Sequence, residues 1–304
     1  MNTSAKSEPS QAVHGWVTVN KPPGITSFKA LGIVKRAFKS RKAGHAGTLD
    51  KPANGLLVIG LGHATKAIPF VTEATKQYSF IVNFGSSTTT DDATGEIIAV
   101  SEHRPSQEDI RTALQSFRGQ IQQVPPQFSS VKVSGVRSYV YAAKGKQVEL
   151  ISRPLLVKRL ELVKQISPHQ AEFEMECGKG GYVRCIARDV GEKLGCLGHV
   201  HTLTRIKSGP FHLSDACELE QFSSFNDKYL SKVLYPLETA LETIPEIKVT
   251  EEEANTIHNG GSILCKQPHQ ENGSTAWTSY KDQAIGWGII KEGKFLPKRV
   301  LPSR

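Results

Sequence analysis

No apolar run in this sequence approaches the roughly 18 residues that a membrane-spanning helix needs. The first residues, MNTSAKSEPSQAVHG, also lack the apolar segment of a secretion signal. The five cysteines are odd in number and include no C-x-x-C pair, so the sequence predicts neither a disulfide framework nor a zinc ribbon. Reduced thiols and the absence of a leader favour a cytoplasmic protein.

Motifs of several common enzyme classes are missing too. The P-loop pattern, in which Gly-Lys precedes Ser or Thr, does not occur, and His199-Val-His201 has the wrong spacing for H-E-x-x-H. Gly60-Leu-Gly62 follows an apolar run as a dinucleotide fingerprint does, but Thr65 occupies the place of the third glycine. We therefore predict no NTPase, dinucleotide-binding or zinc hydrolase activity, and no metal site.

Positive charge is what the chain has in excess. Lys and Arg number 38 against 29 Asp and Glu, which gives a formal net charge of +9. This balance favours a phosphate-bearing partner, with nucleic acid as the leading candidate. The 304 residues, with 38% hydrophobic content, suffice for one large core or for two domains.

Helical and strand patterns alternate irregularly along the chain, which predicts an α+β fold. Thr26 or Ser27 caps a first helix, Ser106 opens a second, a third runs from about Arg184, and Thr250 caps a fourth. Strands are predicted at residues 16–19, 56–59, 77–84, 155–163, 171–177, 262–265, 276–280, 284–290 and 295–300.

The composition changes at both ends of the chain. Residues 1–13 are polar and are predicted to be disordered. Residues 14–244 carry most of the helical and strand patterns, and we predict that they form the main domain. Short β-like runs dominate residues 245–304, which predicts a small β-rich domain there.

One carboxylate stands out in residues 44–66, which read GHAGTLDKPANGLLVIGLGHATK. Asp50 lies in a turn between Gly47 and Pro52, where its carboxylate can be exposed and still accept backbone N–H bonds. Such bonds would keep it ionised and available as a nucleophile or base. The structural alternative is an ordinary turn-forming or helix-capping Asp.

Two other groups of residues could carry chemistry. Tyr182 and Arg184 would share one face if their stretch is extended, and could then stack on a base and hold a carboxylate or phosphate. Tyr78 and the loop Thr88–Asp92 form the second group, in which Asp92 could orient an arginine. The alternatives are a half-buried Tyr beside a surface Arg, and a solvated acidic loop.

A series of motifs occurs between residues 16 and 210. They are Asn20-Lys-Pro-x-Gly-x-Thr-Ser27, Gly44-His-x-Gly-Thr-Leu-Asp50, Ala64-Thr-Lys66, Lys76-x-Tyr78, Gln123-x-Pro-Pro-x-Phe-Ser129 and Arg153-Pro154. In residues, order and spacing this series resembles the TruB-type tRNA pseudouridine-55 synthase family. The resemblance implies a mixed, mostly antiparallel sheet flanked by helices in residues 14–244, and a PUA-like RNA-binding domain in residues 245–304.

The resemblance also implies an activity. The protein would isomerise the uridine at position 55 of the tRNA T loop to pseudouridine, without a cofactor. The base would be flipped out of the loop, the glycosidic bond would break, and the uracil would rotate and bond to C1′ through C5. The tRNA T stem-loop is the expected partner, with no membrane and no obligatory protein partner, so that a monomer is expected.

Residue roles follow from the same resemblance. Asp50 matches the catalytic aspartate of the family and Arg184 its paired arginine, with Asp92 helping to position that arginine. The remaining matches are Tyr78, which packs on the flipped base, Tyr182 and Leu203, which line the pocket, His45, which enters the space left in the loop, and Lys21, a structural or phosphate-contacting residue.

The chain departs from the family pattern at two positions. Lys51 stands where proline usually follows the aspartate, and Thr89 stands where an acidic residue is frequent. Because the other residues of these motifs remain, we expect activity to be retained. The competing hypotheses are an RNA-binding protein without catalysis and a metal-dependent nuclease that uses Asp50, Asp91 and Asp92.

Overall fold

The computed structural model describes residues 13–265 and 272–302. The predicted disordered tail, residues 1–13, lies outside this part of the chain except for its last residue. The α-helices of the described chain are α1 Ser27–Ala37, α2 Ile68–Glu73, α3 Gln107–Leu114, α4 Ser138–Ala142, α5 Val183–Lys193, α6 Asp227–Lys232 and α7 Glu251–His258. None of them is long and apolar enough to cross a membrane.

The strands fall into a large sheet, a smaller C-terminal sheet and two hairpins. They are β1 Gly15–Lys21, β2 Ala43–His45, β3 Asn54–Leu61, β4 Lys76–Phe84, β5 Ser86–Thr88, β6 Ile97–Val100, β7 Gly119–Gln123, β8 Lys132–Val133, β9 Val136–Arg137, β10 Arg153–Ser167, β11 Gln170–Cys177, β12 Gly198–Ser208, β13 Phe211–His212, β14 Cys217–Glu218, β15 Glu246–Lys248, β16 Ile263–Leu264, β17 Thr275–Tyr280, β18 Gln283–Lys291 and β19 Lys294–Val300.

The large sheet has ten strands, eight of them in the order β14-β1-β3-β12-β4-β11-β10-β7. Its pairs are antiparallel, except that β1 pairs with β14 and β3 with β12 in parallel. The predicted α+β class, with a mixed and mostly antiparallel sheet, is therefore confirmed. In the middle of the sheet, β12 has β3 on one side, where Arg205 is opposite Gly55, and β4 on the other.

Strand β4 shows why the sequence forms this sheet. Phe80, Val82 and Phe84 alternate with the less buried Ile81 and Asn83 and lie in one core, as the period-2 pattern predicts. Helix α5 covers the same core with Ile186 and Val190, which lie one turn apart on its buried face. This packing fixes the start of α5 over the centre of the sheet.

The face that Tyr182 and Arg184 would share in an extended stretch does not form, whereas the helix predicted from about Arg184 is confirmed within a residue. Helix α5 begins at Val183, and Tyr182 precedes it as the N-cap residue. Val183 belongs to the same buried face as Ile186 and Val190, so burying this face requires helical backbone from its first residue. Arg184 therefore projects from the first turn of a helix instead of sharing a strand face with Tyr182.

The polar loop predicted after β4 also contains more structure than its sequence indicates. Strands β5 and β6 form an antiparallel hairpin there, with Ser86 opposite Val100. All residues of β6 are exposed, so no buried face produces the alternation by which a strand is recognised. The loop Thr88–Asp92 begins at the end of β5 and leads back towards β12.

The C-terminal sheet has the order β15-β17-β18-β19-β16 and is covered by α7, which Thr250 caps as predicted. The strands predicted from residue 262 onwards are confirmed within a residue or two of their ends. Trp277 and Trp287 join the core that contains Trp16, so the C-terminal sheet packs against the large one. The division of the chain at residues 244 and 245 stays a prediction.

Candidate active site

Asp50 lies in the turn that leads into β3, and four hydrogen bonds hold the backbone of this turn. The hydroxyl of Ser27, at the start of α1, accepts from Leu49 N at 2.9 Å and donates to Leu49 O at 3.0 Å. Ala53 N donates to Asp50 O at 3.2 Å, and Gly24 N donates to Lys51 O at 2.8 Å. Lys51 thus takes part in the turn through its carbonyl, a group that any residue supplies.

Lys21 lies beneath this turn and is fully buried. Its Nζ donates to the carbonyls of Pro22 and Ile25, both at 2.9 Å, and to that of Lys51 at 3.5 Å. Burial lowers the pKa of Lys21 to about 8, against the opposing effect of the Asp50 carboxylate. Of the two predicted roles for Lys21, its burial supports the structural one, because a phosphate cannot reach it.

Asp50 and Arg184 form an ion pair, with 2.8 Å between Asp50 Oδ2 and Arg184 Nε. The prediction gave this carboxylate backbone N–H donors, whereas the donor in the structure is a guanidinium. Arg184 also donates from Nη1 to the Thr90 carbonyl at 2.9 Å and from Nη2 to the Phe128 carbonyl at 3.0 Å. The arginine side chain is 5% exposed and that of Asp50 is 40% exposed, so a rigid, buried cation holds an accessible carboxylate.

Asp92 approaches the same guanidinium nitrogen as Asp50, with 3.9 Å between its Oδ2 and Arg184 Nε. Its Oδ1 accepts from the Thr90 hydroxyl at 2.7 Å and from the Thr94 backbone N at 2.9 Å. The loop is fixed to β12 through Ala93 N, which donates to Val200 O at 2.9 Å. The acidic loop is therefore ordered against the sheet, and the solvated alternative is wrong for Asp92, which is 7% exposed.

A small cleft of about 80 Å³ opens beside this ion pair. Four of the predicted residues line it, namely Asp50, Asp92, Arg184 and Leu203. The rest of its lining is Pro52, Ala53, Ala93, Thr94, Val200, His201 and Thr202. The tertiary structure therefore brings residues that are up to 153 positions apart in the chain to one opening, as Asp50 and Leu203 show.

Tyr78 lies next to this lining on β4. It is half-buried and is opposite Arg205 of β12, while Leu203 is opposite the neighbouring Phe80. Burial raises the pKa of Tyr78, and the adjacent Arg205 guanidinium opposes this shift. The phenol therefore stays protonated at neutral pH, and its ring stands beside the leucine of the cleft.

Tyr182 and His45 are held near the site by their backbone positions. Gln123 fixes Tyr182 through a pair of bonds, accepting from its N at 2.9 Å and donating to its O at 3.1 Å. His45 ends β2, where it pairs with Ile59 of β3. Burial lowers the pKa of His45, and the positive charge of Arg205 adds to this effect, so the imidazole is neutral at pH 7.

Arg205 is the main residue of the site to which sequence reasoning assigned no role. It is 2% exposed, and it donates from Nε to Leu56 O at 2.8 Å and from Nη2 to Gly47 O at 3.2 Å. It thereby connects β12 and the Asp50 turn beside Tyr78. An arginine within a polar strand pattern such as TLTRIK reads as a surface residue, so the sequence carries no sign of its burial.

We searched the described chain for groups of three or more His, Cys, Asp and Glu side chains that could hold a metal, and found none. Asp91, which one hypothesis placed in such a group, instead pairs with Arg188 at 3.1 Å. Each acid of the site thus has its own cation or hydroxyl partners.

Solved structures of ribonucleoprotein complexes contain chains with a similar fold. A chain in an H/ACA ribonucleoprotein bound to a substrate RNA containing 2′-deoxyuridine aligns with a TM-score of 0.73 at 19% identity, covering 95% of this chain and 85% of that one. A chain of an archaeal box H/ACA complex gives a TM-score of 0.72 at 21% identity, over 94% and 85% of the two chains. These similarities show the fold.

Sequence comparisons are closer. The relative named tRNA pseudouridine synthase B in Dinoroseobacter shibae is 48% identical over 95% of this chain and 96% of its own length, and that of Rhodopseudomonas palustris is 42% identical over 95% and 81%. Residues 35–183 match the N-terminal domain of TruB family pseudouridylate synthases, and residues 184–242 match a tRNA pseudouridylate synthase B C-terminal domain. The chain therefore belongs to the TruB family of pseudouridylate synthases.

Proposed function

We propose that this chain converts the uridine at position 55 of the tRNA T loop to pseudouridine, with Asp50 as the catalytic residue. As a member of the family it is a pseudouridine synthase whose substrate is tRNA. The single observation that carries the mechanism is the Asp50–Arg184 pair at 2.8 Å in a narrow cleft. The site uridine, the residue roles and the steps below are our proposal.

Arg184 supports the reaction by fixing one side of the carboxylate. Its guanidinium is bound to two carbonyls and to Asp50 Oδ2, which leaves Oδ1 of Asp50 as the oxygen that we assign to the substrate. An ionised carboxylate at the glycosidic bond can attack C1′, attack the base or remove a sugar proton. All three steps need the fixed, water-poor surroundings that the cleft provides.

The substrate base must leave the T loop before it can enter the cleft, which costs a few kcal/mol. We assign the stacking that offsets this cost to the ring of Tyr78, with Leu203 as the apolar contact beside it. We assign to Tyr182, at the start of α5, a further contact with the base beside the cleft. His45, neutral and flat, fills the space that the base leaves in the RNA.

Binding of the RNA itself is assigned to the positive surface of the chain. We propose that residues 245–304 form an RNA-binding domain in which Lys291, Lys294, Lys298 and Arg299 contact phosphates without reading sequence. This basic stretch runs from Lys291 to Arg304, and its last two residues lie outside the described chain. We further propose that the protein acts as a monomer in the cytoplasm, without an obligatory protein partner or a cofactor.

The two competing hypotheses have less support. A nuclease would need Asp50, Asp91 and Asp92 to share a cation, yet these acids pair with different groups, Asp91 with Arg188 and Asp50 with Arg184. A protein without catalysis has no use for a carboxylate that solvent can reach and that a buried guanidinium holds. Exposure to solvent does not make an ion pair more stable, so stability does not explain this arrangement.

The test is to incubate the purified protein with an unmodified T stem-loop RNA and to map pseudouridine chemically. Wild-type protein should convert the target uridine, and Asp50→Asn should not. Asp282→Asn is the matched control, because this carboxylate is 94% exposed and lies in the turn between β17 and β18, far along the chain from the site. A variant Asp50→Asn that converts the RNA at the wild-type rate would show that the carboxylate is not catalytic.

A further inference from the structure

Helix α5 carries a second arginine, Arg188, one turn after Arg184, and both side chains project to the same side of the helix. Arg184 donates to the Thr90 carbonyl at 2.9 Å, and Arg188 lies 3.1 Å from the carboxylate of the next residue, Asp91. Both arginines therefore bind the loop Thr88–Asp92.

The same two arginines also bind a second segment in parallel. Arg184 Nη2 donates to the Phe128 carbonyl and Arg188 Nη2 to the Val124 carbonyl, both at 3.0 Å. These carbonyls flank the two prolines of the QVPPQF segment. The loop and the proline segment are thus connected twice to α5, once through each arginine.

The two arginines differ in their third contact. Arg184 Nε binds Asp50, whereas Arg188 Nε binds Asp189 Oδ1 of its own helix at 2.8 Å. Arg188 is 20% exposed, and it is absent from the lining of the cleft as the structure defines it over the described chain. Arg188 can therefore affect the reaction only through what it holds in place.

The backbone of Asp91 shows what Arg188 holds. Asp91 has φ +59°, a left-handed conformation that is strained for a non-glycine residue. This conformation turns neighbouring carboxylates apart, so that Asp91 meets Arg188 while Asp92 Oδ2 lies 3.9 Å from Arg184. The ion pair with Arg188 and the bond from Val200 N to Asp91 O, at 3.1 Å, stabilise this arrangement.

We propose that Arg188 is a positioning residue for the isomerisation. By clamping Asp91 and the Val124 carbonyl against α5, it places the Thr90 and Phe128 carbonyls where they orient the Arg184 guanidinium, and hence the carboxylate of Asp50. This role rests on the proposed function, because it sets the geometry of the same ion pair. A displacement of about 1 Å at such a site can reduce turnover about 100-fold.

Steady-state kinetics on the T stem-loop RNA with Arg188→Gln test this role. We expect kcat to fall about 10- to 100-fold while KM stays within about threefold, because Arg188 touches no substrate. Asp91→Asn should have a similar effect, because it removes the same Arg188–Asp91 ion pair. For the same reason, the double variant should be no slower than the slower of the two single variants. Arg188→Lys, which keeps the charge on Asp91 but not the fork of donors, should recover part of kcat.

Arg159→Gln is the matched control, because Arg159 of β10 forms comparable pairs with Glu161 of the same strand and with Glu174 of β11, and its side chain is 38% exposed. Its kcat should equal that of wild type. A wild-type kcat in Arg188→Gln, a rise in KM alone, or additive effects of Arg188→Gln and Asp91→Asn would each overturn the positioning role. If Arg188→Gln does not fold, Asp91→Asn and Arg188→Lys decide by the same criteria. Wild-type protein that converts no uridine would overturn the proposed function and this role together.

Discussion

The two members of the Asp50–Arg184 pair should contribute very differently to the stability of the fold. In Arg184→Met, the carbonyls of Thr90 and Phe128 lose donors at 2.9 and 3.0 Å. An unsatisfied acceptor away from water costs about 1 kcal/mol or more, so that two of them predict a loss of about 2 to 4 kcal/mol in the free energy of unfolding. Asp50, at 40% exposure, can be hydrated and adds little.

Asp50→Asn should abolish catalysis and leave the stability of the fold almost unchanged. Its amide oxygen can still accept from Arg184 Nε, and water reaches a side chain that is 40% exposed. We therefore expect the free energy of unfolding to change by less than about 1 kcal/mol. Conversion of the T stem-loop RNA should nevertheless be lost, because a neutral amide is neither a nucleophile nor a base.

Urea unfolding followed by tryptophan fluorescence measures the first quantity, since Trp16, Trp277 and Trp287 are all buried. Chemical mapping of pseudouridine measures the second. Arg184→Lys serves as the control for charge, because an ammonium can pair with Asp50 but cannot bind both carbonyls, and should recover only part of the stability. An Asp50→Asn variant as unstable as Arg184→Met would refute the reasoning, since Asp50 would then be a structural partner of the arginine.

Two further predictions concern the surroundings of the site. Gly55→Ala should lower the free energy of unfolding by more than about 2 kcal/mol, because Gly55 has φ +103° and a Cβ there would lie 2.5 Å from the carbonyl oxygen of Arg205. The control is Gly180→Ala, which should lose only about 1 kcal/mol, because Gly180 has φ +80° but open space around its Cβ position. Equal losses in the two variants would contradict this packing. Lys21 has its pKa lowered from 10.5 to about 8, so the unfolded chain binds more protons between these values and wild-type stability should rise with pH there. The free energy of unfolding of wild type, measured in urea relative to that of Lys21→Met, should rise by about 2 kcal/mol from pH 8 to pH 10. A difference between the two proteins that does not change with pH would show that burial does not lower the pKa of the lysine.

The local structure around the site follows closely from the sequence. Thr26 accepts from Lys29 N at the start of α1, and Ser106 caps α3, because their hydroxyls satisfy N–H groups that every helix start leaves free. The alternation in β4 and the caps need only neighbouring residues. The exposed hairpin β5–β6 was missed because it has no buried face that would produce an alternating pattern.

The sequence by itself determined helices α1, α3, α5 and α7, strands with a regular alternation such as β4, the positive charge, and the motifs around Asp50 that indicate the family. The tertiary structure decided which charges are buried. Lys21, Arg184 and Arg205 have the same side chains as the surface cations of this chain, yet each is no more than 5% exposed. Their main partners are backbone carbonyls, which every residue carries. The sequence therefore does not show which carbonyls will lie about 3 Å from a guanidinium, and only the folded chain shows how Asp50 is held.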